Sequence, residues 1–135
     1  MNRSRLLLAD DHDKLLAEVT ELLSREFEIV GVARDGAALL AMAAMLRPDV
    51  AVTDVRMPKL SGIDAGRILM AQGMCKAVVV LTAYDDPQLA QTALQAGIQG
   101  YVLKINAAED LIPAIYKALD GVTFVSSEIA SKLLE

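Results

Sequence analysis

Tryptophan is absent from this 135-residue chain, and three tyrosines with two phenylalanines bring the aromatics to only 4%. Hydrophobic residues still make up 54% of it, so the core has to be aliphatic. That composition suits a sheet sandwiched between helices. Cysteine is nearly missing as well. Cys75 stands alone, which excludes an internal disulfide and favours a reducing compartment. Basic charge is in deficit, with 13 Lys and Arg against 18 Asp and Glu and a net charge of −5. A domain that binds nucleic acid would carry a basic face instead. Long apolar runs are lacking too: the stretches near 37–46 and 77–83 fall far short of a membrane span. Leu6-Leu7-Leu8-Ala9 is too short for a signal-peptide core and runs straight into acid. A cytoplasmic protein without membrane contact is expected. No repeat or low-complexity segment is present, no linker precedes Gly121, and the length is that of one domain.

What the chain does have is polar residues at the ends of short apolar runs. Val50-Ala51-Val52-Thr53 reads as a buried strand and ends in Asp54, with turn signals at Pro58 and Gly62. Arg5-Leu6-Leu7-Leu8-Ala9 ends in Asp10-Asp11, the valine-rich run 76–81 in Thr82, and the run 100–103 in Lys104. A β-rich run at 27–33 completes five strands. Between them lie helical patterns. Leu15, Leu16, Val19, Leu22 and Leu23 share one face. Gly36 opens an Ala/Leu/Met-rich helix ending near Arg47-Pro48, and a weaker helix runs from Gly62 to about Gln72. Asp85-Asp86-Pro87 supplies an N-cap and a proline at the first helical position, and Gly97 closes that helix. Leu111, Ile112, Ile115 and Leu119 mark the last apolar face, although Pro113 sits inside it. The last helix therefore starts after Asn106 or has a distorted first turn.

Five strands alternating with five helices predict an α/β fold, a doubly wound five-stranded parallel sheet with right-handed crossovers. The strand order 2-1-3-4-5 is preferred among the options because it gathers every polar strand end into one crevice. Asp10 and Asp11 then lie beside Asp54, about 4.8 Å away. Thr82 falls on its other side, and Lys104 is two strands off, within reach of a long stem.

Carboxylates that close together conflict electrostatically. Two unit charges about 4 Å apart repel by roughly 4 kcal/mol at a partly exposed site. Protonation or a bound cation relieves this, and oxygen-only ligands with waters suit Mg²⁺. Such an ion keeps Asp54 ionised and neutralises an incoming phosphoryl group. Carboxylates are known nucleophiles toward phosphorus. Thr82 can donate to one phosphoryl oxygen, Lys104 offers a point charge to another, and Ala83 leaves room beside the nucleophile.

Asp10-Asp11, Asp54 with Met57-Pro58 and Gly62, Thr82-Ala83, Tyr101 and Lys104, at these spacings, resemble the receiver domain of bacterial two-component response regulators. The resemblance covers about residues 5–121 and implies a flavodoxin-like (α/β)5 fold. It implies that Asp54 takes phosphoryl from a sensor histidine kinase, with Lys104 and Thr82 assisting. It further implies Mg²⁺ held by Asp11, Asp54 and the backbone carbonyl of Arg56, with Asp10 acting through water. Thr82 and Tyr101 would form the switch pair, and phosphorylation could drive homodimerisation. Many receivers carry proline after the lysine; here Ile105 follows Lys104. The run from Gly121 to Ala130 resembles the exit from receivers joined to a LuxR-type helix-turn-helix. This implies a receiver at 1–121, an exit segment at 122–135, and DNA contact only through an output domain outside this chain.

Two other classes share parts of this pattern. Asp11-His12-Asp13 resembles the D-x-D opening of haloacid-dehalogenase-type phosphatases, with Asp11 as nucleophile and Asp13 as general acid, but that reading leaves Asp54 without a purpose. A flavodoxin-like binding module shares the topology, but Asp10-Asp11 would repel a bound phosphate. Asp13 reads as the cap of the first helix, freeing Asp10 and Asp11, and His12 as exposed or capping.

Overall fold

A computed structural model describes residues 3–133. Strands β1 (Arg5–Ala9), β2 (Glu28–Ala33), β3 (Val50–Thr53), β4 (Ala77–Thr82) and β5 (Gly100–Leu103) alternate with helices α1 (Asp13–Leu23), α2 (Gly36–Leu46), α3 (Gly62–Ala71), α4 (Pro87–Gln95) and α5 (Ala107–Leu119). All neighbouring strands pair in parallel. Each strand reads as a continuous apolar run because helices cover both faces. Leu7, Leu39, Leu69, Val78 and Val80 belong to one cluster, and Leu6, Leu8, Leu16, Phe27, Val79 and Ile115 to the other. Successive residues of β4 alternate between the two, as the two-residue period of a strand requires.

The five-strand expectation is corrected by a sixth strand. β6 (Phe124–Val125) adds to the free edge of β5, in register Gly100↔Phe124 and Tyr101↔Val125, and gives the order β2-β1-β3-β4-β5-β6. Helix α6 (Ser127–Leu133) follows, with Ile129 fully buried. Two residues are too few to show an alternating pattern, so nothing in the sequence marks β6 as a strand. The rest of the order, 2-1-3-4-5, is as expected.

Local chemistry sets the helix starts. Asp35 accepts from the Ala38 N–H, Ser61 from the Asp64 N–H and Asp86 from the Gln88 N–H, each satisfying a donor that a helix N-terminus leaves free. The cap expected of Asp13 is not formed. Asp13 lies inside the first turn of α1 and pairs with Arg34, while Asp10 Oδ1 accepts the His12 N–H at 2.9 Å. In the last helix, a 3₁₀ turn over Lys104–Asn106 precedes Ala107, and Pro113 lies within α5 on its exposed side. The proline can deprive only the Glu109 carbonyl of its partner, and Glu109 is exposed to water.

Candidate functional site

The register carries the polar strand ends to one rim. Ala9 pairs with Thr53, so Asp10 and Asp54 leave adjacent strands side by side, with the Asp54 N–H bonded to the Ala9 carbonyl at 2.9 Å. Thr82 pairs with Leu103, and Lys104 is the next residue along. Behind Asp54 the chain turns tightly into α3. The Gly62 N–H reaches the Val55 carbonyl at 2.7 Å, and a Cβ at Gly62 would lie 1.7 Å from the Asp54 carbonyl oxygen. Only glycine fits against that backbone.

Asp54 is 4% exposed, and its two carboxylate oxygens face different partners. Oδ1 accepts the Val55 N–H at 2.7 Å, and Oδ2 lies 3.1 Å from the Lys104 ammonium. The same ammonium lies 3.0 Å from Asp10 Oδ2. Burial works against the charge on Lys104. Hydrogen bonds to Asp10 and Asp54, with the charges behind them, outweigh it and hold the ammonium above the ordinary lysine range. His12 Nδ1 sits 2.8 Å from Asp10 Oδ1 and 3.1 Å from Asp11 Oδ1. Its hydrogen bond to Asp10, then the charges of Asp10 and Asp11, raise its pKa. An open depression lined by His12, Lys14, Leu15, Glu18, Ala83 and Lys104 borders the cluster.

These residues suit a divalent cation. Asp10, Asp11, His12 and Asp54 each offer a ligand atom within 4.8 Å of the others. Three of the four donors are carboxylates, the ligand type that Mg²⁺ and its relatives prefer. One lysine and one exposed histidine face three acids, and the Lys104 ammonium between Asp10 and Asp54 shows that these oxygens attract positive charge.

Thr82 is fully buried at the end of β4, and its hydroxyl accepts the Tyr84 N–H at 3.2 Å. Tyr101 is also fully buried, and its hydroxyl donates to the Tyr84 carbonyl at 2.8 Å. Burial, then the charges of Asp86, Asp85 and Asp54, keep that phenol protonated far into the alkaline range. The residues expected as a switch pair thus hold the two backbone groups of one residue, Tyr84. Arg56, exposed after Asp54, stacks its guanidinium 4.5 Å over the Tyr84 ring.

Asp10, Asp54 and Lys104 are therefore in direct contact, Asp11 joins them through His12, and Thr82, Tyr101 and Arg56 converge one layer away on Tyr84. Sequence reasoning missed Tyr84 and the engagement of His12. Only its place between two acids marked the histidine.

Residues 6–116 match the response regulator receiver domain. The transcriptional regulatory protein PdtaR of Mycobacterium tuberculosis is 35% identical over 131 residues, covering 94% of this chain and 63% of that protein. The response regulator GacA of Pseudomonas aeruginosa is 35% identical over 132 residues, covering 96% of this chain and 61% of that one. The chain thus spans about three fifths of the length of these relatives. Among solved structures, a two-component response regulator of the LuxR family from Aurantimonas sp. SI85-9A1 superposes with a TM-score of 0.91 at 28% identity, over 98% of this chain and 96% of that one. The isolated receiver domain of RcsB from Salmonella enterica serovar Typhimurium, with the phosphomimetic BeF₃⁻, gives 0.87 at 28% identity, over 99% of this chain and all of that one. With the acidic crevice, its lysine and the parallel sheet in place, the chain belongs to the receiver-domain family of response regulators.

Proposed function

We propose that Asp54 accepts a phosphoryl group from a phosphohistidine of a sensor histidine kinase. In this step an Asp54 carboxylate oxygen bonds to phosphorus, the phosphorus–nitrogen bond breaks, and the imidazole leaves with the electron pair and takes up a proton. The observation that carries the reading is the Lys104 ammonium shared between Asp54 Oδ2 and Asp10 Oδ2 at 3.1 and 3.0 Å. It orients the nucleophile and stands ready to meet charge on the incoming group. Asp11, Asp54 and the Arg56 backbone carbonyl would hold Mg²⁺ directly, with Asp10 acting through water. The ion, when bound, neutralises the charge of the phosphoryl oxygens. The domain catalyses only its own phosphorylation and dephosphorylation.

The phosphoryl group then competes for the Thr82 hydroxyl. Drawing Thr82 away from the Tyr84 N–H frees one end of the residue whose carbonyl Tyr101 holds. The loop after β4 and the face of α4 shift with it, in a two-state change of the kind worth about 1–3 kcal/mol. Residues 1–121 form the receiver and 122–135 the exit segment toward an output domain. Through that domain the protein acts on DNA and controls transcription, with homodimerisation on phosphorylation. The reading places it in the cytoplasm, where the lone Cys75 stays reduced.

Incubation with acetyl phosphate and Mg²⁺, followed by borohydride trapping and peptide mass mapping, should place the label on Asp54. Label on Asp11 that survives Asp54→Asn would overturn this assignment in favour of a phosphatase that uses Asp11 as nucleophile.

A further inference from the structure

The C-terminal segment reaches the site through one side chain. Ser126 is fully buried and directly precedes α6, where a serine ordinarily caps the helix. Its hydroxyl is committed elsewhere. Oγ accepts the Leu103 N–H at 3.1 Å and donates to Asp110 Oδ2 of α5 at 3.0 Å. The β5–β6 ladder ends at Tyr101↔Val125, and the Ser126 N–H closes it on the Tyr101 carbonyl at 3.0 Å. The hydroxyl then supplies the acceptor that the missing next rung would have given Leu103. It extends the bonded edge of β5 to the residue directly before Lys104. Directly after Leu103 the chain bends into the 3₁₀ turn of Lys104–Asn106, where Asn106 makes no side-chain cap. On the β6 side, Ser126 is thus the last hydrogen-bonded support before the lysine leaves the strand, and through Asp110 it also fixes the start of α5 on the far side of that turn.

We propose that Ser126 is a positioning residue for phosphoryl acceptance, its hydroxyl bridge from Leu103 to Asp110 setting where the Lys104 ammonium stands between Asp10 and Asp54. This rests on the reading of Asp54 as acceptor and of Lys104 as its charge partner. It makes the exit segment part of the reaction machinery. Movement of β6 and α6 alters the placement of Lys104, and occupancy at Asp54 is felt at the first residues leading out of the domain. The same segment touches the other side of the site, since Lys132 of α6 pairs with Asp85, just after Tyr84, at 2.8 Å.

The test is a double-mutant cycle on the whole chain, reading phosphorylation by acetyl phosphate in Mg²⁺. Ser126→Ala should lower the limiting rate at saturating acetyl phosphate by about tenfold, the scale expected when a reacting group is displaced by a fraction of an ångström. Mg²⁺ binding, titrated with the metal alone by calorimetry, should not weaken. In a Lys104→Ala background the same substitution should cost nothing further, because both act through one ammonium. A wild-type rate in Ser126→Ala, or an equal fold loss in both backgrounds, overturns the proposal. If Ser126→Ala does not fold, Asp110→Ala carries the same cycle from the partly exposed end of the bridge, with the same two overturning results. Failure of the wild-type chain to label at Asp54 would instead sink the underlying functional reading, so the two failures are distinguishable.

Discussion

Two aspartates bracket β3, and they do opposite things. Asp49 stands at the strand's entrance. Its Oδ2 accepts the Arg5 N–H at 2.7 Å, its Oδ1 lies 3.4 Å from the Lys76 ammonium, and its backbone bonds both flanking strands. Around it the charges balance, and the Arg5 guanidinium is spent on the carbonyls of Leu46 and Arg47. Asp54 stands at the exit. There three acids crowd one lysine and one histidine, and Asp10 and Asp54 divide a single ammonium. Asp54 is buried and Asp49 half-buried, but depth does not explain their chemistry. What separates them is surplus: at the entrance each oxygen has its own positive or N–H neighbour, whereas at the exit negative charge is left over that a divalent cation can balance. Structural carboxylates are neutralised locally, and functional ones are held short of it.

Exchanging the charges tests that contrast most severely. Asp54→Asn should abolish labelling by acetyl phosphate while far-UV circular dichroism stays unchanged. Asp49→Asn should label at the wild-type rate and cost about 2 kcal/mol of stability in urea unfolding, the scale of one charge-assisted hydrogen bond. Equal loss of labelling in both would erase the distinction. Lys104→Met comes next. Removing the one ammonium that meets Asp54 among the described residues should slow phosphorylation about 10²-fold, as loss of one preorganised charge at a reacting oxygen does. The same change removes a competitor for the acids, so Mg²⁺ should bind more tightly in calorimetry. Weaker binding would mean that the lysine supports the metal site. Asp11→Asn acts in the reverse sense, reducing the surplus: Mg²⁺ affinity should fall by about tenfold or more, and phosphorylation should then require correspondingly higher Mg²⁺.

The smallest effect belongs to the entrance rim, which should be chemically quiet. Cys75, beside Lys76, has its thiol pushed up to about 11, by burial first, with backbone hydrogen bonds near Ala51 and Ala77 opposing it. It should resist iodoacetamide at pH 8 in the folded protein and react on unfolding. The folded thiol binds its proton more tightly than the unfolded one. Its contribution is therefore fully present below the unfolded pKa near 8.5 and is lost as pH rises toward 11. About 3 kcal/mol of stability should disappear across that window relative to Cys75→Ala. Parallel pH curves for the two proteins would show that burial does not act on the thiol.

The exit rim was largely legible in the sequence because strand ends announce themselves. An apolar run that stops at an acid or a lysine states both the strand and its polar terminus, and the one order that joined those termini is the observed one. What escaped notice has no period. Phe124–Val125 is too short to alternate, so the sixth strand shows only in three dimensions. Asp13 reads as the cap of α1, but the helix starts one residue earlier than that requires, with His12 at the N-cap position and Asp13 turned to Arg34, a one-residue boundary that a linear pattern does not record. Ser126 looks in sequence like any N-cap, and only the end of the β5–β6 ladder shows why its hydroxyl turns the other way.

The tight fit at Gly62 gives the domain a mechanical direction. With no room for even a methyl group between α3 and the Asp54 backbone, that side of the crevice is an anvil. Across from it, the residues after Thr82 are exposed and held by hydrogen bonds at Tyr84, a stacked guanidinium and the surface pair of Asp85 with Lys132. A load placed on Asp54 cannot be absorbed equally by both walls. Under the proposed phosphoryl acceptance it would be delivered to the yielding one, so the stiffness of a single glycine turn would decide which surface of the molecule carries the message.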